Sequence, residues 1–168
     1  MDGLVVATAE SPAGQAAPVA WFVEAGRTAR QARVAGVGLR RNWTRWRAPL
    51  GLQGATEVAV SRWWSASSTE VRGASTQLTV VPVLRWRPAP DAAWFLEAGL
   101  GLALHGPRDG ARSTQARTRW NFEDVIALGW QPAPGWALSL RYAHVSNAGL
   151  RKPNPGEDRL LLRLTASF

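Results

Sequence analysis

The chain has 168 residues, no cysteine and a formal net charge of +8. The lack of cysteine excludes disulfides and thiolate metal sites, and 46% apolar content excludes a disordered chain. No apolar run approaches the roughly 18 residues a membrane helix needs, so any membrane-spanning role falls to strands. The basic residues are mostly Arg and are scattered. That counts against a nucleic-acid-binding stripe and leaves phosphates or an anionic lipid surface as partners.

One domain is the simplest division: a loose lead-in over residues 1–18, rich in Ala, Ser, Gly and Pro, then a single unit over 19–168. The opening MDGLVVATAE carries Asp2 and no basic segment, so it does not read as a signal peptide. The expectation for an exported protein is a signal outside this stretch.

From Val19 the chain reads as eight strands. They are expected at Val19 to Arg27, Arg33 to Trp43, Leu52 to Trp64, Ser75 to Arg87, Ala92 to Leu104, Trp120 to Trp130, Trp136 to Asn147 and Asp158 to Phe168. Side chains alternate faces along a strand, so each segment separates into an apolar and a polar face. In the fourth, Leu78, Val80, Pro82, Leu84 and Trp86 share a face. In the fifth, Trp94, Leu96, Leu100, Leu102 and Leu104 oppose Glu97, Gly99 and Gly101.

The loops after strands two, four and six are compact or Pro-rich (Thr44 to Gly51, PAPD, QPAPG). Those after three, five and seven are polar (Ala66 to Gly73, His105 to Arg119, Ala148 to Glu157). Short turns at one end and longer loops at the other characterise outer-membrane barrels. Seven of the ten Trp agree: Trp21, Trp43, Trp46, Trp86, Trp94, Trp130 and Trp136 gather at the Pro-rich end, like an interfacial belt. The fold expected is all-β, an eight-stranded antiparallel transmembrane β-barrel of the outer-membrane type. Eight strands enclose an interior filled by side chains. Glu57 and Glu97 fall on that inner face, where Arg40, Arg85 or Arg163 could pair with them. A soluble sandwich with Trp in its core, or a lipocalin-like carrier with apolar residues inward, fits the outward Leu stripes less well.

The chemistry concentrates in Tyr142 to Asp158, YAHVSNAGLRKPNPGED. By parity Trp136, Leu138, Leu140, Tyr142, His144 and Ser146 share the apolar face, opposite Ser139, Arg141 and Ala143. A Ser hydroxyl needs a neighbouring base, and that base needs an acid to orient it. His144 and Ser146, two residues apart on one face, are placed to form such a pair, and a nucleophile on an apolar wall suits a lipid substrate. Parity puts Asp158 on the face of Leu160, Leu162 and Leu164, with His144 and Ser146. Glu157 points inward, so Asp158 is favoured as the orienting acid and Glu157 is the runner-up. Asn147 and Asn154 can supply amide donors for an oxyanion, and the backbone N–H groups of Ala148 and Gly149 can add main-chain donors. Arg151 and Lys152 stand where an anionic headgroup would meet the protein. On its own, His-x-Ser is a common pattern, and Asn-Ala-Gly and Pro-Asn-Pro-Gly are ordinary turn material. His105, beside Gly106 and Pro107, reads as a surface loop residue. Two His this far apart are no metal signature.

HVSNAGLRKPNPGED resembles the signature of the PagL family of outer-membrane lipid A 3-O-deacylases, over about fifteen residues. There a His-x-Ser-Asn-Ala-Gly segment precedes Pro-Asn and then an acid. A terminal aromatic, Phe168, extends the likeness to bacterial outer-membrane barrels. The resemblance implies Ser146 as nucleophile, His144 as base, and an acid at Asp158 where some members have Glu. It implies Asn154 at the oxyanion site, and hydrolysis of the 3-hydroxyacyl ester at position 3 of lipid A with no metal or cofactor. Lipopolysaccharide and outer-membrane lipids become the partners, and a homodimer stays open. The other reading kept is a non-catalytic small barrel that binds or stabilises lipopolysaccharide. His144 lies eight residues beyond Trp136, roughly 20 Å up a tilted wall and so near the outer leaflet's sugar–acyl junction.

Overall fold

The computed structural model describes residues 19–43, 51–64, 73–108, 119–152, 154 and 156–167. Eight antiparallel strands close into a barrel in chain order, β1 pairing with β8 to complete the ring. They are β1 (Val19–Thr28), β2 (Arg33–Asn42), β3 (Gln53–Trp64), β4 (Ala74–Trp86), β5 (Trp94–Arg108), β6 (Trp120–Ala133), β7 (Trp136–Ser146) and β8 (Glu157–Ser167). The lead-in, Trp46 of the expected belt, and Phe168 lie outside the described residues.

The apolar stripes face outward. Leu39, Leu100, Ile126, Leu140, Leu160 and Leu162 are all exposed, while Arg40, Glu57, Glu97, Arg141 and Arg163 are buried in the lumen. This inversion is what a barrel in hydrocarbon requires, and it removes the soluble readings. The expected inner pairs form: Arg40 bridges Glu57 at 2.9 Å and Glu97 at 2.6 Å, Arg85 meets Glu97 at 2.9 Å, and Arg163 meets Glu57 at 2.8 Å. The network extends further. Arg163 also holds Glu24 at 2.7 Å, Arg141 reaches Glu57 at 3.1 Å, and Arg159 pairs with Glu123. Guanidinium planes cap Phe22 (Arg163, 3.7 Å) and Phe95 (Arg85, 3.8 Å). A buried ion pair costs least when its donors and acceptors are shared. Glu57 meets Arg40, Arg141 and Arg163, while an Nη of Arg141, Nε of Arg159 and Oε2 of Glu123 have no hydrogen-bond partner among the described residues.

The Trp belt sits on the outer wall at the Pro-rich end. Trp21 and Trp136 meet edge to face at 6.3 Å, as do Trp86 and Trp94 at 5.8 Å. Trp43 covers Gly54 and donates from Nε1 to Thr56 Oγ1 at 3.0 Å. A Cβ at Gly54 would stand 2.1 Å from the Trp43 ring, so only glycine fits. Trp64 and Trp120 are exposed at the opposite end.

Two expectations are corrected, for His105 and for the start of the last strand. β5 continues to Arg108, so His105 is not a surface loop residue: it is half-buried on the inner face, its ring edge-on to Trp63 at 5.7 Å and its Nε2 3.1 Å from Gln77 Nε2. β8 begins at Glu157, one residue early. Ala166 has outward parity yet is buried, because its lateral partners are Trp21 and Trp136, whose rings close over it.

Candidate active site

The site forms at the loop-rich end of β7 and β8, where the register sets His144 directly opposite Asp158. Both side chains stand on the outer wall, 36% and 46% exposed. His144 Nδ1 lies 2.7 Å from Asp158 Oδ1. A carboxylate oxygen only accepts, so Nδ1 carries the hydrogen and Nε2 is left as the basic nitrogen. Tyr142, one pleat below His144, donates from its hydroxyl to the same Oδ1 at 2.6 Å. Its partner in register is Leu160, and the long phenol crosses diagonally to Asp158.

Glu157 points the other way. Its side chain is buried and engages the β1–β2 turn: Oε1 accepts from the Arg30 backbone N–H at 3.3 Å, and Oε2 meets the Arg30 guanidinium at 3.2 Å. The backbone N–H of Ala29 donates to the Asp158 carbonyl at 2.8 Å, which fixes this turn beside the site.

Ser146 ends β7 on the same outer face. Its Oγ accepts from the Ala148 N–H at 3.4 Å. Asn147 to Leu150 form a tight turn closed by Leu150 N–H to Asn147 O at 3.0 Å, with φ of 53° at Ala148 and 76° at Gly149. Two successive positive φ values define a type I′ turn, which glycine adopts freely and alanine only at a cost. Asn147 builds this turn with its side chain. Its Oδ1 accepts from Gly149 N–H at 3.0 Å and its Nδ2 donates to Arg151 O at 2.7 Å. Asn154 folds back so that its Oδ1 accepts from the Asn147 N–H at 3.1 Å, which leaves the Nδ2 end of that amide as a donor. Arg151 and Lys152 are exposed on the loop beyond.

An open cleft of about 290 Å³ joins these groups; its walls are Ala29, Arg30, His144, Ser146, Asn154, Gly156, Glu157 and Asp158. Gly156, at φ 37°, abuts the imidazole: a Cβ there would sit 3.1 Å from His144 Cε1 and 3.6 Å from Nε2.

The model of the PagL family, described as lipid A 3-O-deacylase, matches residues 34–167. The chain belongs to the PagL family. It is 33% identical to the lipid A deacylase PagL of Bordetella bronchiseptica over 112 residues, 67% of this chain and 61% of that protein's length. It is 32% identical to the Pseudomonas aeruginosa lipid A deacylase PagL over 129 residues, 71% of this chain and 69% of the relative. The crystal structure of the outer membrane enzyme PagL superposes with a TM-score of 0.66 at 26% identity, covering 89% of this chain and 99% of that one. Neisserial surface protein A shares the fold, with a TM-score of 0.60 at 9% identity. Family and barrel together place the protein in the bacterial outer membrane.

Of the residues singled out from the sequence, the structure brings His144, Ser146, Asp158, Asn154 and Glu157 to one cleft. It commits the side chain of Asn147 and the N–H of Gly149 to the turn. Four residues at the site went unread. The sequence reading places Tyr142 only on the outer face and Gly156 only in a turn, and gives neither Arg30 nor Asp124 a role. Asp124 is exposed on the outer wall of β6 and is the direct partner of His144 on that side. A lone carboxylate on an otherwise apolar strand face was the available signal.

Proposed function

We propose that this protein hydrolyses the ester-linked acyl chain at position 3 of lipid A, using Ser146, His144 and Asp158 on the lipid-facing wall. The observation that carries the reading is the 2.7 Å contact of His144 Nδ1 with Asp158 Oδ1, on the outer face of a PagL-family barrel with Ser146 one pleat above. Asp158 fixes the tautomer, so Nε2 is the base turned to the cleft. As an ester carbonyl enters, the Ser146 hydroxyl swings from the Ala148 N–H toward Nε2, gives it the proton, and its Oγ bonds to the carbonyl carbon. The oxyanion takes hydrogen bonds from the freed Ala148 N–H and from Asn154 Nδ2. His144 then protonates the departing sugar oxygen. A water molecule, deprotonated by the same nitrogen, releases the acyl chain from Ser146. Arg151 and Lys152 meet the anionic headgroup, and Glu157 supports the site through Arg30 rather than through His144.

The test is the mass of lipid A before and after incubation with purified protein. Wild type removes one hydroxyacyl chain. Ser146→Ala and His144→Ala do not, while keeping the heat-modifiable electrophoretic band of a folded barrel. Full activity in Ser146→Ala refutes the assignment, and a wild type that labels with no serine-reactive lipase inhibitor favours a non-catalytic lipopolysaccharide binder.

A further inference from the structure

The outer wall beside the site carries charge that hydrocarbon does not explain. Arg27 on β1 and Arg33 on β2 are direct cross-strand partners, both exposed on the outer face. Their Cβ atoms therefore stand roughly 5 Å apart, and like charges so opposed destabilise a sheet. Their other lateral partners are Leu160 and Trp64, which bring no counter-charge. The outward carboxylate nearest in register, Asp158, is taken by Tyr142 and His144, and Glu157 pairs with Arg30. One pleat below, Ala25 pairs with Ala35, so the wall next to the two arginines carries only methyl groups.

The opposite flank has the opposite sign. Asp124 on β6 lies directly beside His144, with Leu100 on its far side. Across the wall the charges thus sort by side: negative toward β6, positive toward β1 and β2, with the His144–Asp158 pair between.

We infer that Arg27 and Arg33 together bind a phosphate of the lipid whose ester Ser146 attacks. The inference rests on the hydrolase reading above and names the part of the substrate it requires, a phosphorylated saccharide headgroup. Two arginines whose Cβ atoms stand about 5 Å apart can bracket one phosphate, each guanidinium donating a pair of N–H bonds in the planar geometry that suits its oxygens. With strands about 4.8 Å apart, the gap between β1 and β2 lies about 12 Å from β7, within the width of a disaccharide headgroup. Asp124 repels the same phosphate from the other flank. The headgroup therefore lies across the wall in one sense only, phosphate toward β1 and β2.

The experiment compares KM for lipid A and for its dephosphorylated form in neutral-detergent micelles. Wild type shows a KM about tenfold or more lower for the phosphorylated lipid, and Arg27→Gln/Arg33→Gln brings the two within about twofold, as loss of charge-assisted bonds requires. Arg33→Lys, which keeps the charge and loses the planar fork, falls between. A double variant that keeps the wild-type preference overturns the inference. So does a wild type that hydrolyses both lipids with equal KM. A wild type that hydrolyses neither sinks the hydrolase reading instead. Retention of the two lipids in the same micelles then decides the Arg pair: equal retention by wild type and double variant overturns it.

Discussion

Replacing Asp158 by Asn isolates the one interaction on which the proposed chemistry depends. Oδ1 accepts from His144 Nδ1 at 2.7 Å and from Tyr142 Oη at 2.6 Å, so a single oxygen holds both donors. Asparagine keeps the shape, loses the charge, and can turn an N–H toward the imidazole, which favours the wrong tautomer. A hydrogen bond to a charged group contributes about 1.5–3 kcal/mol. The Asp158 side chain is 46% exposed, so water screens part of this. The loss in kcat is then about 100-fold, or roughly 2.7 kcal/mol, rather than the ~10⁴ of a fully enclosed triad. Glu157→Gln, whose carboxylate serves Arg30, stays within about threefold of wild type. Tyr142→Phe costs about three- to tenfold in kcat with KM unchanged, and under twofold once Asp158 is already Asn, because its only described target is gone. Initial rates of acyl release, normalised to the heat-modifiable folded band, measure all four. An Asp158→Asn enzyme within about threefold of wild type, or a 100-fold loss in Glu157→Gln, refutes the assignment of the acid.

Two more outcomes follow from the packing. Gly156→Ala places a methyl 3.1 Å from His144 Cε1 at a positive φ, so the imidazole tilts from Asp158. The expected result is a fall of about tenfold or more in kcat with a loss of only about 1–2 kcal/mol in stability from the positive φ, read by single-turnover acyl release and a melting curve. Arg163→Met leaves Glu24 and Glu57 short of a partner in the lumen and is expected to cost about 3–5 kcal/mol, measured by urea unfolding in detergent. Wild-type stability in that variant would mean that the inner network contributes nothing net.

The barrel was legible in the sequence because its alternation is strict and inverted. Leu160, Leu162 and Leu164 against Arg159 and Arg163 can serve only a wall with lipid outside and charge inside. Parity also separated Asp158 from Glu157, although the residues are adjacent. What stayed hidden depends on register between strands. Asp124 precedes His144 by twenty residues, and only the β6–β7 pairing makes them neighbours. Tyr142 needs a diagonal reach to Asp158, and Arg30 reaches the cleft only because β1 closes onto β8. His105 was misplaced because Gly106 looked like a loop signal within a strand that runs on. The side chain of Asn147 was read as a donor to substrate, but a type I′ turn with alanine at its first central position uses that amide to hold itself.

The filled lumen constrains how the proposed hydrolase can meet a lipid substrate. Among the described residues, arginine and glutamate side chains interlock across the lumen, so on the proposed reading substrate reaches the cleft sideways from the leaflet rather than along the axis. Substrate encounter is then lateral diffusion in two dimensions. Turnover should follow the mole fraction of lipid A in the surface, so that diluting it with inert detergent slows the reaction even when its bulk concentration is constant.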